Sequence, residues 1–147
     1  MNTFQAIEVR KLISPGAIVD NAAFTTDIID MKGVKEALFI VQFGAMDIAA
    51  AVCKLTESEV SDMTGATDVS GADFSVSPLT VPSATDDNLL FGIHIVNRGN
   101  RKRYLDVSLT GGDGTAGTYA GGLVLLAKQD TQPTTAALQG FDQVAYV

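Results

Sequence analysis

The sequence predicts an all-β fold of antiparallel strands, because three runs of residues have strand patterns and short turns separate them. In the run 103–110, apolar and polar residues alternate one by one. A period of two residues is typical of a strand that buries one face. The run 88–97 is apolar at every second position, and the run 119–127 is apolar on both faces. We therefore predict a strand in each run.

The turns between these runs indicate the direction of the chain. One turn is basic, residues 98–103, and the other is glycine-rich, residues 111–117. Turns of this length return the chain antiparallel, since a parallel crossover needs about a dozen residues or more. We therefore expect two consecutive hairpins with no helix between them.

Earlier in the chain, the strongest strand candidate is the run 34–44, which is rich in β-branched and aromatic residues. A short strand is expected at 27–31, with Lys32-Gly33 as the tight turn between the two. The run 47–55 is ambiguous, because its alanines favour a helix while its apolar residues also fit one face of a strand. We interpret it as a strand packed closely on a neighbour.

The middle of the chain contains loop and turn signals. Residues 57–71 are polar and contain glycine, which predicts a loop, and residues 72–77 are expected to form a brief strand that ends at Pro78. Another turn is expected at 82–87. The total is about seven or eight strands at the spacing of a sandwich or barrel. A two-sheet antiparallel β-sandwich is the simplest architecture that fits.

The chain is expected to form a single domain whose ends differ from its middle. Residues 25–129 are predicted to form the sandwich, residues 1–24 an N-terminal arm or first strand, and residues 130–147 a C-terminal arm or last strand. The last segment is too apolar for a free disordered tail. Its large apolar residues include Leu138, Phe141 and Tyr146. Two alternatives stay open: the segment docks on its own domain, or it lies on a neighbouring subunit.

Composition limits the function classes. At 147 residues and 46% hydrophobic, the chain can bury a core without metals or disulfides. Seventeen acidic against ten basic residues give a net charge of −7, which disfavours nucleic acids and anionic membranes as partners. The single cysteine, Cys53, cannot form an internal disulfide, and no signal peptide or membrane-spanning run is recognisable. We expect a soluble protein that folds in a bacterial-type cytosol.

Candidate catalytic groups are few. His94 is the only histidine, so a cupin-type site with several histidines is excluded, and a histidine-based triad would have to use this residue. It has no obvious partner, and we interpret it as a structural or interface histidine. Cys53 lies in an apolar segment with only Lys54 as a basic neighbour, whereas a thiolate nucleophile needs a positive environment. We expect Cys53 to be a small buried side chain.

The glycine-rich turn 111–117 fits neither of two ligand-binding motifs. A P-loop places Gly-Lys-Ser/Thr at the start of a helix, whereas this turn continues into a strand. A calcium-binding β-roll needs tandem copies and only one is present, so calcium at Asp113 is not expected. We predict a flexible hairpin loop in which glycine supplies positive φ angles. No metal and no cofactor are expected.

The basic turn concentrates positive charge in an acidic chain, since four of the ten basic residues lie within six positions. These are Arg98, Arg101, Lys102 and Arg103. One interpretation is a contact with an acidic patch on a partner, which gives orientation and encounter rate more than affinity. The other is a solvated hairpin turn. The carboxylates are spread through loops, and without tryptophan a glycosidase site is not expected.

Two segments carry a resemblance to a known family. Residues 87–128 contain Lys-Arg-Tyr-Leu at 102–105 and Gly-Asp-Gly-Thr at 112–115, and residues 34–58 read VKEALFIVQFGAMDIAAAVCKLTES. Over roughly residues 18–128, the chain resembles the small head decoration, or cement, proteins of tailed bacteriophages.

The resemblance implies a jelly-roll-like β-sandwich that binds the outer surface of a phage capsid, bridges major-capsid subunits and stabilises the shell. It implies a virion protein assembled in the host cytoplasm, with a dimer or trimer on the capsid and no catalytic residues. We expect the two terminal segments and the basic turn to make the contacts. The candidate residues are Arg98, Arg101, Lys102, Arg103, Leu138, Phe141 and Tyr146.

Two other function classes stay open. A carbohydrate- or receptor-binding sandwich of a phage tail or fibre needs an exposed aromatic platform, for which Tyr104 and Tyr119 are the candidates. An enzyme needs a convergent set of titratable groups, and His94 and Cys53 offer too little. We do not expect an enzyme.

Overall fold

The computed structural model describes residues 3–133 and 135–145. Within them the chain forms a short 3₁₀ turn, Thr3–Ala6, followed by nine strands. The strands are β1 Glu8–Ile13, β2 Ala22–Ala23, β3 Ile29–Asp30, β4 Val34–Met46, β5 Val52–Ser58, β6 Thr67–Asp73, β7 Leu90–Val96, β8 Tyr104–Gly111 and β9 Thr118–Gln129.

The strands form two antiparallel sheets that pack face to face. Sheet A has the order β1-β9-β4-β7, and sheet B has the order β2-β8-β5-β6, with β3 also paired to β8. When β2 and β3 are counted as the halves of one interrupted strand, this is the strand order of an eight-stranded jelly roll. The predicted all-β antiparallel sandwich is confirmed.

The core lies between the two sheets and is formed by alternate residues of the long strands. Phe39 and Phe43 of β4 and Leu126 of β9 point inward from sheet A, and Leu105 and Leu109 of β8 point inward from sheet B. All five side chains are at most 1% exposed. Burial of side chains of this size contributes about 1.5–3 kcal/mol each as an upper estimate.

The two predicted hairpins are wrong, although all three strands exist. β7 pairs with β4 in sheet A, β8 pairs with β5 in sheet B, and β9 returns to sheet A. The basic turn and the glycine-rich turn therefore cross from one sheet to the other. Sheets pack about 10 Å apart and an extended residue spans about 3.3 Å, so a turn of about six residues is long enough to cross the sandwich.

The glycine-rich turn has the predicted positive φ angles at Gly112 and Gly114, but it packs closely against the chain and is not an open loop. At Gly112, which has φ of +77°, a Cβ atom would lie 2.3 Å from the Asp20 carboxylate oxygen. At Gly117 it would lie 2.5 Å from the Ile18 side chain. The Gly114 N–H also donates a hydrogen bond to Asp20 Oδ1 (2.8 Å). Glycine is required here because the turn packs against residues 18–21.

Sheet B differs from the prediction around β5 and β6. β5 begins at Val52, so only the second half of the predicted run 47–55 is a strand. The predicted loop 57–71 contains the end of β5 and most of β6, and the predicted strand 72–77 is largely a turn. Among the described strands, β6 is an edge strand that pairs with β5 alone, and its register is irregular near Gly71, which has φ of +81°. A polar, bulged edge strand lacks the alternation from which strands are predicted.

The described C-terminal segment, residues 135–145, folds back onto its own domain as a turn and not as a strand. The Val9 N–H of β1 donates to the Gln139 carbonyl oxygen (2.7 Å), and the Gln139 side-chain amide donates to the Gln5 carbonyl (2.8 Å). Gln139 is 4% exposed, whereas Leu138 is 58% and Phe141 is 41% exposed. Tyr146, the third apolar residue predicted to bind a partner, lies outside the described residues.

Candidate partner-binding face

The solvent side of sheet A is apolar at its centre, and Lys11, Glu36 and Gln42 lie at the margins of the apolar area. Cross-strand register places Val9, Leu125, Leu38 and His94 in one row, and Lys11, Leu123, Ile40 and Gly92 in the next. Leu90 and Val96 lie near the two ends of β7 on the same side. We call this surface the A face, and it consists of Val9, Leu38, Ile40, Leu90, Val96, Leu123 and Leu125.

The A face is open to solvent. Leu90 is 67% exposed, Val96 40% and Leu123 38%. Val9, Leu38, Ile40 and Leu125 are partly buried by their neighbours.

The solvent side of sheet B has the opposite character. Apart from Val52, which lies opposite Thr110 at the start of β5, its central strands β5 and β8 place polar side chains opposite one another. The residues are Lys54, Thr56, Tyr104, Asp106, Ser108 and Thr110. One solvated polar face is the usual arrangement in an antiparallel sheet, whereas an apolar second face marks an interaction surface. The two sides of the sandwich are therefore chemically distinct.

Both ends of the described chain extend the A face at the β1 side. A groove of about 600 Å³ lies between the 3₁₀ turn, β1 and the C-terminal segment, and its wall includes Phe4, Val9, Leu125 and Phe141. Phe4 is 80% exposed. A second groove, of about 420 Å³, shares Val9 with the first and continues to Leu90.

The four residues of the basic cluster lie in the turn between β7 and β8, and three of them, Arg101, Lys102 and Arg103, have partners within the chain. An Arg101 guanidinium nitrogen lies 3.5 Å from the Glu57 carboxylate. The Lys102 ammonium donates to Thr67 Oγ1 (2.9 Å). Arg98 is exposed and forms no ion pair with any described residue.

Arg103 holds Asp30 of β3 with two hydrogen bonds, from Nε to Oδ1 (2.9 Å) and from a terminal nitrogen to Oδ2 (2.7 Å). The hydrogen bond from Arg103 lowers the pKa of Asp30, with a further contribution from the Lys32 N–H. The guanidinium also lies 5.0 Å from the centre of the Tyr104 ring. These contacts link the basic turn to β3, the short strand that pairs with β8 in sheet B.

The two nucleophile or base candidates do not meet. His94 lies exposed on the solvent side of sheet A, opposite Leu38. Cys53 is 1% exposed in the core, as predicted, and burial raises the pKa of its thiol to about 12, with a smaller contribution from Asp73. The Asp113 carboxylate accepts the Thr115 and Ala116 N–H groups within its own turn. Among residues 3–133 and 135–145, no cluster of three or more His, Cys, Asp or Glu side chains is arranged to hold a metal.

Asp106 is an unusual acidic residue on the polar side of sheet B. Burial raises its pKa, a hydrogen bond with the Thr26 side chain opposes this shift, and the negative charge of Asp27 adds to it. Its Oδ1 atom is buried without a hydrogen-bond partner among the described residues. The carboxylate therefore destabilises the fold when it is ionised.

Comparison with protein-family models, with curated proteins and with solved structures finds no match to this chain. In the part of the chain that the structure describes, no helix has the length and apolar character needed to cross a bilayer.

The A face was not among the predicted contacts, although its signal is present in the sequence. The run 119–127 is apolar on both faces, and Leu38 and Ile40 interrupt the alternation of β4 with apolar residues on the outward side. In an antiparallel sheet, a strand that is apolar on both faces indicates that both faces are covered. Only one cover, sheet B, is supplied by the described chain.

Proposed function

We propose that this protein is a structural virion protein that binds the outer surface of a phage capsid through the A face, bridges neighbouring major-capsid subunits and stabilises the shell. The observation that carries the proposal is the contrast between the apolar A face and the polar side of sheet B. A jelly roll with one apolar side and one polar side can bind a larger surface through its apolar side while its polar side stays in solvent. The resemblance of residues 34–58 and 87–128 to head decoration proteins supports a phage capsid as the surface that it binds.

The energetics of the A face suit a protein that is free before assembly and bound afterwards. Burial of a fully exposed side chain of this size contributes about 1.5–3 kcal/mol as an upper estimate, and Leu90, 67% exposed, and Leu123, 38% exposed, can each gain the corresponding fraction. Loss of translational freedom and ordering of side chains offset much of that gain, so a single contact is weak. Contacts repeated over a capsid lattice add up to a substantial stabilisation of the particle.

The terminal segments and the basic turn have defined positions in this proposal. Phe4 and Phe141 continue the apolar surface beyond β1, and Leu138 is exposed in the C-terminal turn. Arg98 stands at the opposite side of sheet A, where the chain leaves β7, and is available for an acidic partner. Arg101, Lys102 and Arg103 act mainly within the fold, because they already contact Glu57, Thr67 and Asp30.

The alternative, a carbohydrate- or receptor-binding module of a phage tail or fibre, is favoured less by the geometry. Tyr119 points outward from sheet A and Tyr104 from sheet B, so the two tyrosines lie on opposite sides of the sandwich. They do not form one aromatic platform. Arg103 also stacks against Tyr104.

The test of the proposed function is cosedimentation of the purified protein with expanded, undecorated capsids of the same virus. We expect saturation at a number of copies set by icosahedral symmetry, together with greater resistance of the shell to heat. Absence of binding to capsids, combined with binding on a glycan array, would support the alternative and contradict the proposal.

A further inference from the structure

The two edge strands of sheet A, β1 and β7, differ in whether other parts of the chain bind their outer backbone groups. The β1 edge is covered: the Gln139 carbonyl accepts the Val9 N–H, and the Asp27 N–H donates to the Leu12 carbonyl (2.8 Å). At the other edge, β7 pairs with β4 on one side, and no described strand pairs with it on the other. An exposed, uncharged edge strand of this length is a template for pairing with another strand.

The pattern of hydrogen bonds shows which residues of β7 have free backbone groups. The Asn97 N–H donates to the Lys35 carbonyl (2.7 Å), and the Phe43 N–H donates to the Leu89 carbonyl (3.3 Å). In an antiparallel ladder, bonded residues alternate with residues whose backbone points away from the partner. The odd-numbered residues of β7 therefore bond to β4, and the even-numbered ones point outward. The outward residues are Leu90, Gly92, His94 and Val96.

We propose that the open edge of β7 pairs antiparallel with β7 of a second copy of this chain, about a twofold axis at Ile93. In this register Leu90 lies opposite Val96 of the other copy, and Gly92 lies opposite its His94. This is the register that uses all four outward residues of both strands, and it forms about eight backbone hydrogen bonds. A shift by one pair would place His94 opposite itself, or Gly92 opposite itself, and would leave an outward residue unpaired.

Side chains and charges on β7 are self-complementary in this register. The strand has no Asp, Glu, Lys or Arg, so no like charges meet. Leu90 and Val96, the two exposed apolar side chains, cover each other across the axis. Beyond the strand ends, this register brings Arg98, which has no ion-pair partner among the described residues, to the end of the other copy's strand that carries Asp87, whose Oδ1 accepts the Met46 N–H (2.9 Å). This charge complementarity favours a second copy over an unrelated strand.

The dimer would have one continuous eight-stranded sheet in which the two A faces lie side by side. Pairing at the β7 edge uses backbone groups and covers Leu90 and Val96, but it leaves the other five residues of the A face free, so the inference does not depend on what that face binds. The dimer can therefore be absent while the protein binds capsids, and the dimer can form in a protein that does not bind capsids.

The register makes the dimer testable by a charge pair that can form only between copies. Leu90→Lys and Val96→Glu each place a charge at the dimer interface and should raise the dimer dissociation constant at least tenfold in sedimentation equilibrium. The double variant should recover most of the lost dimer affinity, because the introduced lysine then faces the introduced glutamate of the other copy. Within one strand the two positions are about 20 Å apart, so this ion pair cannot form inside a single copy. Leu123→Lys is the matched control: it changes a leucine of the same sheet face, two strands away, and should leave dimerisation unchanged.

Amide hydrogen exchange provides the second measurement. In the dimer, the amides of Leu90, Gly92, His94 and Val96 should become protected as protein concentration rises, while those of Phe91, Ile93 and Ile95 are protected at every concentration. A protein that stays monomeric in sedimentation equilibrium at millimolar concentration would overturn the proposal. A dimer in which the four outward amides exchange freely, or in which the double variant is no better than the single ones, would also overturn it.

Discussion

Leu38 on β4 lies directly opposite Leu125 on β9 on the solvent side of sheet A, at a position where an antiparallel sheet facing water normally has polar residues. Val9 continues this row on one side and His94 on the other. The equivalent central row of sheet B pairs Thr56 with Asp106. The two sides of the sandwich thus differ in polarity, so residues of the core and residues of the proposed binding face can be tested separately.

Leu105 should be essential for stability but not for binding. Its side chain is 0% exposed at the centre of the core. Leu105→Ala is expected to lower the free energy of unfolding by about 2–5 kcal/mol through loss of buried surface and formation of a cavity. Leu90→Ala, at a position 67% exposed, should change it by less than about 0.5 kcal/mol. Urea unfolding measures both, and equal losses would contradict the assigned core.

Gly140 should be required for docking of the C-terminal segment on β1. It has φ of +87°, and a Cβ atom there would lie 1.6 Å from the Val9 carbonyl oxygen. Gly140→Ala is therefore expected to detach the segment and make it sensitive to proteolysis. Gly65→Ala is the control, because Gly65 has φ of +67° but nothing within 4 Å of an added Cβ. That variant should cost about 1 kcal/mol and leave the segment protected. Equal protection in the two variants would contradict the docking.

Asp106 should make the protein less stable as pH rises. Its pKa in the folded state is raised above the ordinary value, so the folded state binds more protons than the unfolded state between these two pKa values, and stability is lost as pH rises through the folded pKa. Asp106→Asn is expected to be more stable than the parent protein at pH 7, with a difference that shrinks toward pH 3. Thermal unfolding at several pH values measures this difference.

Asp30→Asn is the control for Asp106→Asn, because the pKa of Asp30 is shifted in the opposite direction. Arg103 lowers the pKa of Asp30, so its stabilising contribution is present above the ordinary pKa and is lost as pH falls through the lowered one. Asp30→Asn should therefore destabilise the protein at pH 7, by about 0.2–1 kcal/mol for a solvent-exposed pair. If both variants shifted stability in the same direction at pH 7, the assigned environments would be wrong.

The C-terminal segment should contribute to capsid binding without being needed for the sandwich. Deletion of residues 131–147 removes Leu138 and Phe141 and one wall of the groove beside β1. β9 ends at Gln129, so all nine described strands remain. We expect the truncated protein to keep its β-sheet circular dichroism and to lose binding to capsids in cosedimentation. Full binding by the truncated protein would contradict a role for this segment.

Much of the strand content follows from local sequence, whereas the path between sheets does not. β4, β7, β8 and β9 were predictable because their alternation or β-branched content is contained within each run. β6 was missed because its polar residues sit on an exposed edge with a bulge. The basic and glycine-rich turns look like hairpin turns because length alone does not distinguish a return within one sheet from a crossing to the other.

At the candidate site, too, some features follow from local sequence and others depend on the tertiary fold. The buried state of Cys53 and the outward position of His94 are local properties, and both could be inferred from neighbouring residues. The partners of Arg101, Lys102 and Arg103 lie on β5, β6 and β3, which are distant in sequence, so their engagement within the fold could not be read from the basic run. The apolar outward residues of β4 and β9 were visible, but only the sheet order shows that they form one face.

The most direct test of the central claim compares two lysine substitutions on opposite sides of the sandwich in capsid cosedimentation. Leu123→Lys places a charge in the middle of the A face, and Thr56→Lys places the same charge in the middle of the polar side of sheet B. Both positions point to solvent, so both variants should fold. We predict that Leu123→Lys lowers capsid affinity at least tenfold and that Thr56→Lys binds like the parent protein. Unchanged binding of Leu123→Lys, or an equal loss in Thr56→Lys, would contradict the assignment of the A face as the binding surface.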